Sequence, residues 1–210
     1  MSIIKVINLQ HPTASTANIT LSNTGGIALN GSVSGGGMDL ITPTSVVGGT
    51  FSGGAISLNA ITSASINGCF NALYDNYIIT ITCTATTVSA YVGMKFRNAG
   101  VDTSTGYNGA SRYVSVSSGS DIAVNWGLAA ASSQLLMSQP APDSTFISLN
   151  VFSPYLTAKT GAVAQMVNFN GEPWRGGFSQ TSITQFDGIT FFVTSGTLSG
   201  TVRVYGLRNS

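Results

Sequence analysis

The chain has 210 residues, of which 43% are hydrophobic but only 7% charged, with a formal net charge of +1. Soluble domains commonly carry about a quarter charged residues, so Ser, Thr, Asn and Gly must meet water here. Hydrophobic content near the globular norm excludes a disordered chain, and a near-neutral balance without Lys/Arg clusters excludes nucleic acid as a partner.

The amino-terminal residues Met1-Ser2-Ile3-Ile4-Lys5-Val6-Ile7-Asn8-Leu9 lack the basic start, continuous apolar stretch and cleavage site of a secretory signal. No run of about 18 apolar residues follows, so synthesis in a cytosol without membrane insertion is expected. Lys5 and Asp39 are the only ionised side chains before Asp75. Glycine clusters at Gly25-Gly26, Gly35-Gly36-Gly37, Gly48-Gly49 and Gly53-Gly54 separate brief apolar pieces such as Val46-Val47. Pieces this short cannot bury both faces alone and become stable when other copies cover them. Residues 1–64 are therefore expected to form an attachment or stem segment, with a flexible linker as the alternative. Its candidate contacts for particle attachment or self-association are Ile3, Ile4, Val6, Ile7, Leu9, His11, Ile19 and Leu21.

From residue 65 to 210 the dominant signal is alternation with period two, the signature of strands with one wet face. Tyr77, Ile79, Ile81 and Cys83 fall on one face, with Ile78, Thr80, Thr82 and Thr84 on the other. Val92, Met94 and Phe96 are expected inside, with Lys95 and Arg97 outside. Ile147, Leu149 and Val151 repeat the scheme, as do Val163, Val167 and Phe169. Ile189, Phe191 and Val193, then Val202 and Val204, close the domain. Turn residues between them, including Asn98-Ala99-Gly100 and Ser195-Gly196, favour antiparallel neighbours. The single helix candidate is residues 127–137, which contain good helix formers without a clean apolar stripe. Cys69 and Cys83 are too far out of register across a hairpin for bridging geometry and are expected to be free and buried. The pattern predicts an all-β head domain, leaving sandwich, jelly roll and barrel open.

Few residues suggest chemistry. His11 is the only histidine, so no imidazole-built metal site or His-activated nucleophile is expected. Asp143, Glu172 and Asp187 could serve a glycan hydrolase only if they converged as a carboxylate pair. Each is better explained by its Pro or Gly neighbour as a turn residue. No catalytic residue, metal or cofactor is therefore assigned. The segment from Asn170 to Phe178 contains Glu172, Trp174 and Arg175, and an exposed Trp beside an Arg can stack on a sugar ring and bond its hydroxyls. Packing of Trp174 and Phe178 against the core or a neighbour is the competing reading. Tyr107 and Tyr113, near Asn108, form a second candidate glycan contact.

Four stretches occur in order: Asn8-Leu9-Gln10-His11-Pro12 with Asn18-Ile19-Thr20-Leu21; Phe70 with Tyr74-Asp75-Asn76-Tyr77; Phe96-Arg97-Asn98-Ala99-Gly100-Val101-Asp102; and Phe186-Asp187-Gly188-Ile189 with Gly200-Thr201-Val202-Arg203-Val204-Tyr205-Gly206. This combination resembles the tail-fibre and other virion appendage proteins of tailed bacteriophages. The resemblance implies a short particle-attaching amino-terminal segment and an antiparallel jelly-roll-like β-sandwich head, assembled as a homotrimer with exposed distal loops. The expected function is thus a structural protein of the virion, displayed as a fibre or spike. Its expected partners are its own copies, other virion proteins and host-surface polysaccharide. Capsid decoration is the alternative role, and glycan hydrolysis a remote one.

Overall fold

The computed structural model describes residues 37–85, 90–125, 145–168 and 171–209, with further short strands at 8–9, 19–21, 27–29 and 134–135. The chain divides into two compact units, Met1–Gly36 with Ser210, and Gly37–Asn209. In the first, β1 (Asn8–Leu9), β2 (Ile19–Leu21) and β3 (Ile27–Leu29) form an antiparallel sheet with Leu9 opposite Ile19 and Leu21 opposite Ile27. Of the candidate attachment contacts, Leu9, Ile19 and Leu21 lie in these strands. Ile3, Ile4, Val6, Ile7 and His11 fall outside the described residues.

The second unit begins with five strands: β4 (Met38–Leu40), β5 (Ser45–Val47), β6 (Thr50–Ser52), β7 (Ala55–Ile61) and β8 (Ser63–Asn67). Then come β9 (Tyr74–Ala85), β10 (Val92–Asn98), β11 (Val101–Asp102), β12 (Tyr107–Val114), β13 (Asp121–Asn125) and β14 (Gln134–Leu135). The last are β15 (Thr145–Phe152), β16 (Thr160–Val167), β17 (Pro173–Gln180), β18 (Gly188–Val193) and β19 (Leu198–Arg208). A smaller sheet runs β11-β10-β18-β8-β5, with β14 also paired to β10. A larger one runs β13-β12-β17-β16-β15-β9-β19-β7-β6, with β4 paired to β19. All pairings are antiparallel, and the described residues contain no helix.

The two sheets share one core. Ile66, Phe96, Ile189 and Phe191 from the smaller sheet and Tyr77, Ile79, Leu149 and Val202 from the larger are all buried. Phe96 stacks on Phe186 at 5.1 Å and lies 6.2 Å from Phe178, so aromatic contacts bridge the layers. Each such side chain contributes roughly 1.5–3 kcal/mol through removal from water. The expected inward sets of β9, β15, β18 and β19 are all found buried. Cys69 and Cys83 are free and buried, and desolvation holds both thiols protonated, pushing Cys83 up to about 12.

Four expectations are corrected. The break between units comes at Gly36 rather than after residue 64, because β4 to β8 find partners within the sandwich: β4 and β7 on β19, and β5 and β18 on either side of β8. Gly48 makes this possible, since at φ +78° it carries the chain from β5 to β6, and a Cβ there would sit 2.1 Å from the Ser63 carbonyl oxygen. The phase of β16 is reversed, with Ala162, Ala164 and Met166 inside and Val163 and Val167 exposed; Phe169 lies outside the described residues. Two valines outweighed the alanines by hydrophobicity, yet polar Gln165 shares their face. Arg97 leaves the outer face of β10 as expected but is only 9% exposed, because the β10–β11 turn covers it. Within residues 127–137, Gln134–Leu135 is strand β14, and the rest lies outside the described residues.

Candidate functional site

The stretch from Asn170 to Phe178 is largely strand β17, whose alternation is masked in sequence by Gly176-Gly177. Trp174, Phe178 and Gln180 point to the core, while Pro173, Arg175 and Gly177 face outward. Trp174 is 6% exposed and stacks on half-buried Tyr113, with ring centroids 4.1 Å apart and planes 9° apart. The packing reading describes both residues, and Trp174 offers no open stacking surface. Tyr107 is fully buried: its hydroxyl accepts from the Phe96 amide at 2.7 Å and donates to the Thr103 carbonyl at 3.2 Å. Desolvation pushes its phenol up to about 12. Glu172 serves the β16–β17 turn, accepting from the Asn168 side-chain amide at 2.8 Å while its own amide donates to Asn168 Oδ1 at 2.9 Å.

Asp187 likewise accepts from the Ala99 amide at 3.1 Å. Asp143, the third carboxylate, lies outside the described residues. Among the described residues no group of three His, Cys, Asp or Glu side chains could hold a metal ion, and no helix is long and apolar enough to cross a membrane.

Only Arg175, of the five proposed glycan contacts, stands open on the outer face of the larger sheet. There the strand registers build a row: Thr80 on β9 lies opposite Ser148 on β15, then Gln165 on β16, Arg175 on β17 and Arg112 on β12. A second outward row passes from Thr82 through Phe146 and Val167 to Pro173. Between these rows the surface is hollowed into a trough of about 690 Å³ that reaches Val114 and Asp121. A second hollow of about 540 Å³ borders the same Arg112, Gln165 and Arg175, over Ala110, Ala123, Val163 and Gly177. Small residues create it: a Cβ on Gly177 would meet nothing nearer than the Ala162 carbonyl oxygen at 3.7 Å.

Phe146 is 56% exposed and is the open aromatic that borders the trough, with Phe152 also exposed further along the same face of β15. Sequence reading passed over it by following only the inward set Ile147, Leu149 and Val151. The available signal was the complementary set, in which Phe146 and Phe152 mark an outward face that is not simply polar. Arg112 pairs with Asp121 at 3.1 Å, with both side chains about half exposed. Arg175 has no hydrogen-bond or ion-pair partner among the described residues.

Comparison of the sequence with protein-family models and with curated proteins finds no match. Function must therefore be argued from the geometry and from the motifs themselves.

Proposed function

We propose that this chain is a non-catalytic structural subunit of a tailed-phage particle, with a jelly-roll-like head domain, displayed as an oligomeric fibre or spike of its own copies. The jelly-roll reading is supported by strand order. Counting β8, β9, β10, β12, β13, β14, β15 and β18 as strands one to eight, the first pairs with the eighth, the eighth with the third, and the third with the sixth. The second pairs with the seventh and the fourth with the fifth. These are neighbour pairs of a double-sheet jelly roll. The remaining pair, seventh with fourth, is separated by the β16–β17 hairpin lying between them.

The observation that carries the subunit reading is the edge formed by β5 and β6, at the ends of the smaller and larger sheets. Neither strand contains a charge or a proline, and Val47 on β5 is 64% exposed. Exposed sheet edges of stable monomers are commonly guarded by lysine, proline or inward charges. These edges rely on shortness alone, which suits a surface covered by another copy. The phage assignment rests on the ordered motifs ending in Val204-Tyr205-Gly206. Antibody labelling of intact particles, followed by imaging, tests it. Label on tail appendages is expected, label on the head shell would replace the fibre role with decoration, and particles free of label would overturn the reading.

A further inference from the structure

Building on the displayed-subunit reading, we propose that the trough on the outer face of the larger sheet binds an acidic polysaccharide, with an anionic sugar substituent held between Arg112 and Arg175. The two arginines are direct cross-strand neighbours on β12 and β17. Like charges placed opposite each other on a sheet repel, and among the described residues Asp121 engages only Arg112. The site is one anion short. A carboxylate, sulfate or phosphate group reaching Arg175 would relieve that repulsion and accept charge-assisted hydrogen bonds from a planar donor fork.

The remaining groups set the scale of the ligand. Thr80, Ser148 and Gln165 continue the arginine row across β9, β15 and β16. At about 4.8 Å per strand, the line from Thr80 to Arg112 spans roughly 19 Å. A lone anion would use one end of this line, whereas a sugar chain can place hydroxyls against successive hydroxyl and amide groups. Phe146 and Val167 form the parallel apolar row, suited to the C–H face of a sugar ring. Nucleic acid fits poorly, since these two arginines, even with Arg203 opposite Thr80 at the far end of the row, neutralise too little of a phosphate backbone. A second copy meeting this face with the same face would bring no surplus of carboxylate, because that face is itself cationic.

The test uses the full-length chain and a panel of polygalacturonate, alginate, hyaluronate, chondroitin sulfate and teichoic acid fragments, with methyl-esterified polygalacturonate and dextran as neutral controls, read by titration calorimetry. Binding to at least one acidic probe, weakening as salt rises and absent for the neutral controls, is expected. Arg175→Ala should weaken it about tenfold or more. Gly177→Glu, which sets a carboxylate beside the arginines where space exists, should abolish it. Both variants should keep the wild-type melting temperature and oligomer mass. Binding to none of the acidic probes, equal binding of the ester and the acid, or binding unchanged in Arg175→Ala would each overturn the proposal. So would a change of oligomer mass in Arg175→Ala, which would make this face a protein interface. A chain that labels particles yet binds no acidic probe would refute this inference while leaving the displayed-subunit reading intact.

Discussion

The outer faces of the two sheets differ in how the chain completes them. On the smaller sheet Arg97 donates to Asn67 Oδ1 at 2.9 Å, Ser65 Oγ at 2.9 Å and Thr190 Oγ1 at 2.7 Å, and also to Asp102 and the Gly100 carbonyl. Lys95 on the same strand holds its ammonium 5.7 Å from the centre of the Phe192 ring. Each cation of β10 is thus satisfied by the chain's own residues. On the larger sheet Arg175 faces Arg112 across the strands, beside exposed Phe146, Val163 and Val167. Arg97 is surrounded by acceptors, whereas Arg175 has none among the described residues and lies beside an apolar row, the contrast on which the proposed saccharide site rests.

The sharpest way to break this contrast is to remove Arg97. Arg97→Ala would leave the partly buried Asp102 carboxylate uncompensated and Thr190 without its guanidinium donor, and urea unfolding should show a loss of about 3–5 kcal/mol. Trp174→Ala should follow at about 3 kcal/mol, through a cavity and the lost Tyr113 stack. If it instead removed saccharide binding at unchanged stability, the buried placement of Trp174 would be irrelevant to its role.

Alkaline pH probes the core in the same way. Burial raises Tyr77 and Tyr107 from near 10 to about 12, and Cys83 from 9.0 to about 12. The folded state therefore holds protons that the unfolded chain has released. Stability should be fully present below pH 9, decline from there, and fall more steeply above pH 10 through to about 12. Tyrosinate absorbance should rise together with loss of near-UV circular dichroism, and titration at constant fold would contradict the buried assignments.

Two surface changes should do least to the fold. Val47→Lys, placing the missing guard charge on an edge strand, should leave subunit stability within about 0.5 kcal/mol while reducing the oligomer mass. Arg175→Ala should also stay within about 0.5 kcal/mol and leave the mass unchanged.

Much of the fold was legible because strands half-buried against one core write their burial into alternate residues. Tyr77, Ile79, Ile81 and Cys83 on β9 show this without ambiguity. The signal failed where both faces carry apolar groups, as in β16, where valines stand outside and alanines inside. It failed again in β17, where Gly176 and Gly177 erase one phase and Trp174 looks like a loop anchor. The trough was illegible for a related reason. Its row joins Thr80, Ser148, Gln165, Arg175 and Arg112, residues far apart in sequence that only strand register brings into line.

The central claim is that the chain is a subunit whose uncharged β5 and β6 edges are completed by further copies. Sedimentation equilibrium of the full-length protein across a hundredfold range of concentration tests this most directly. A defined oligomer that dissociates only at the dilute end is predicted, and a fully folded monomer of 21.6 kDa at every concentration would contradict it.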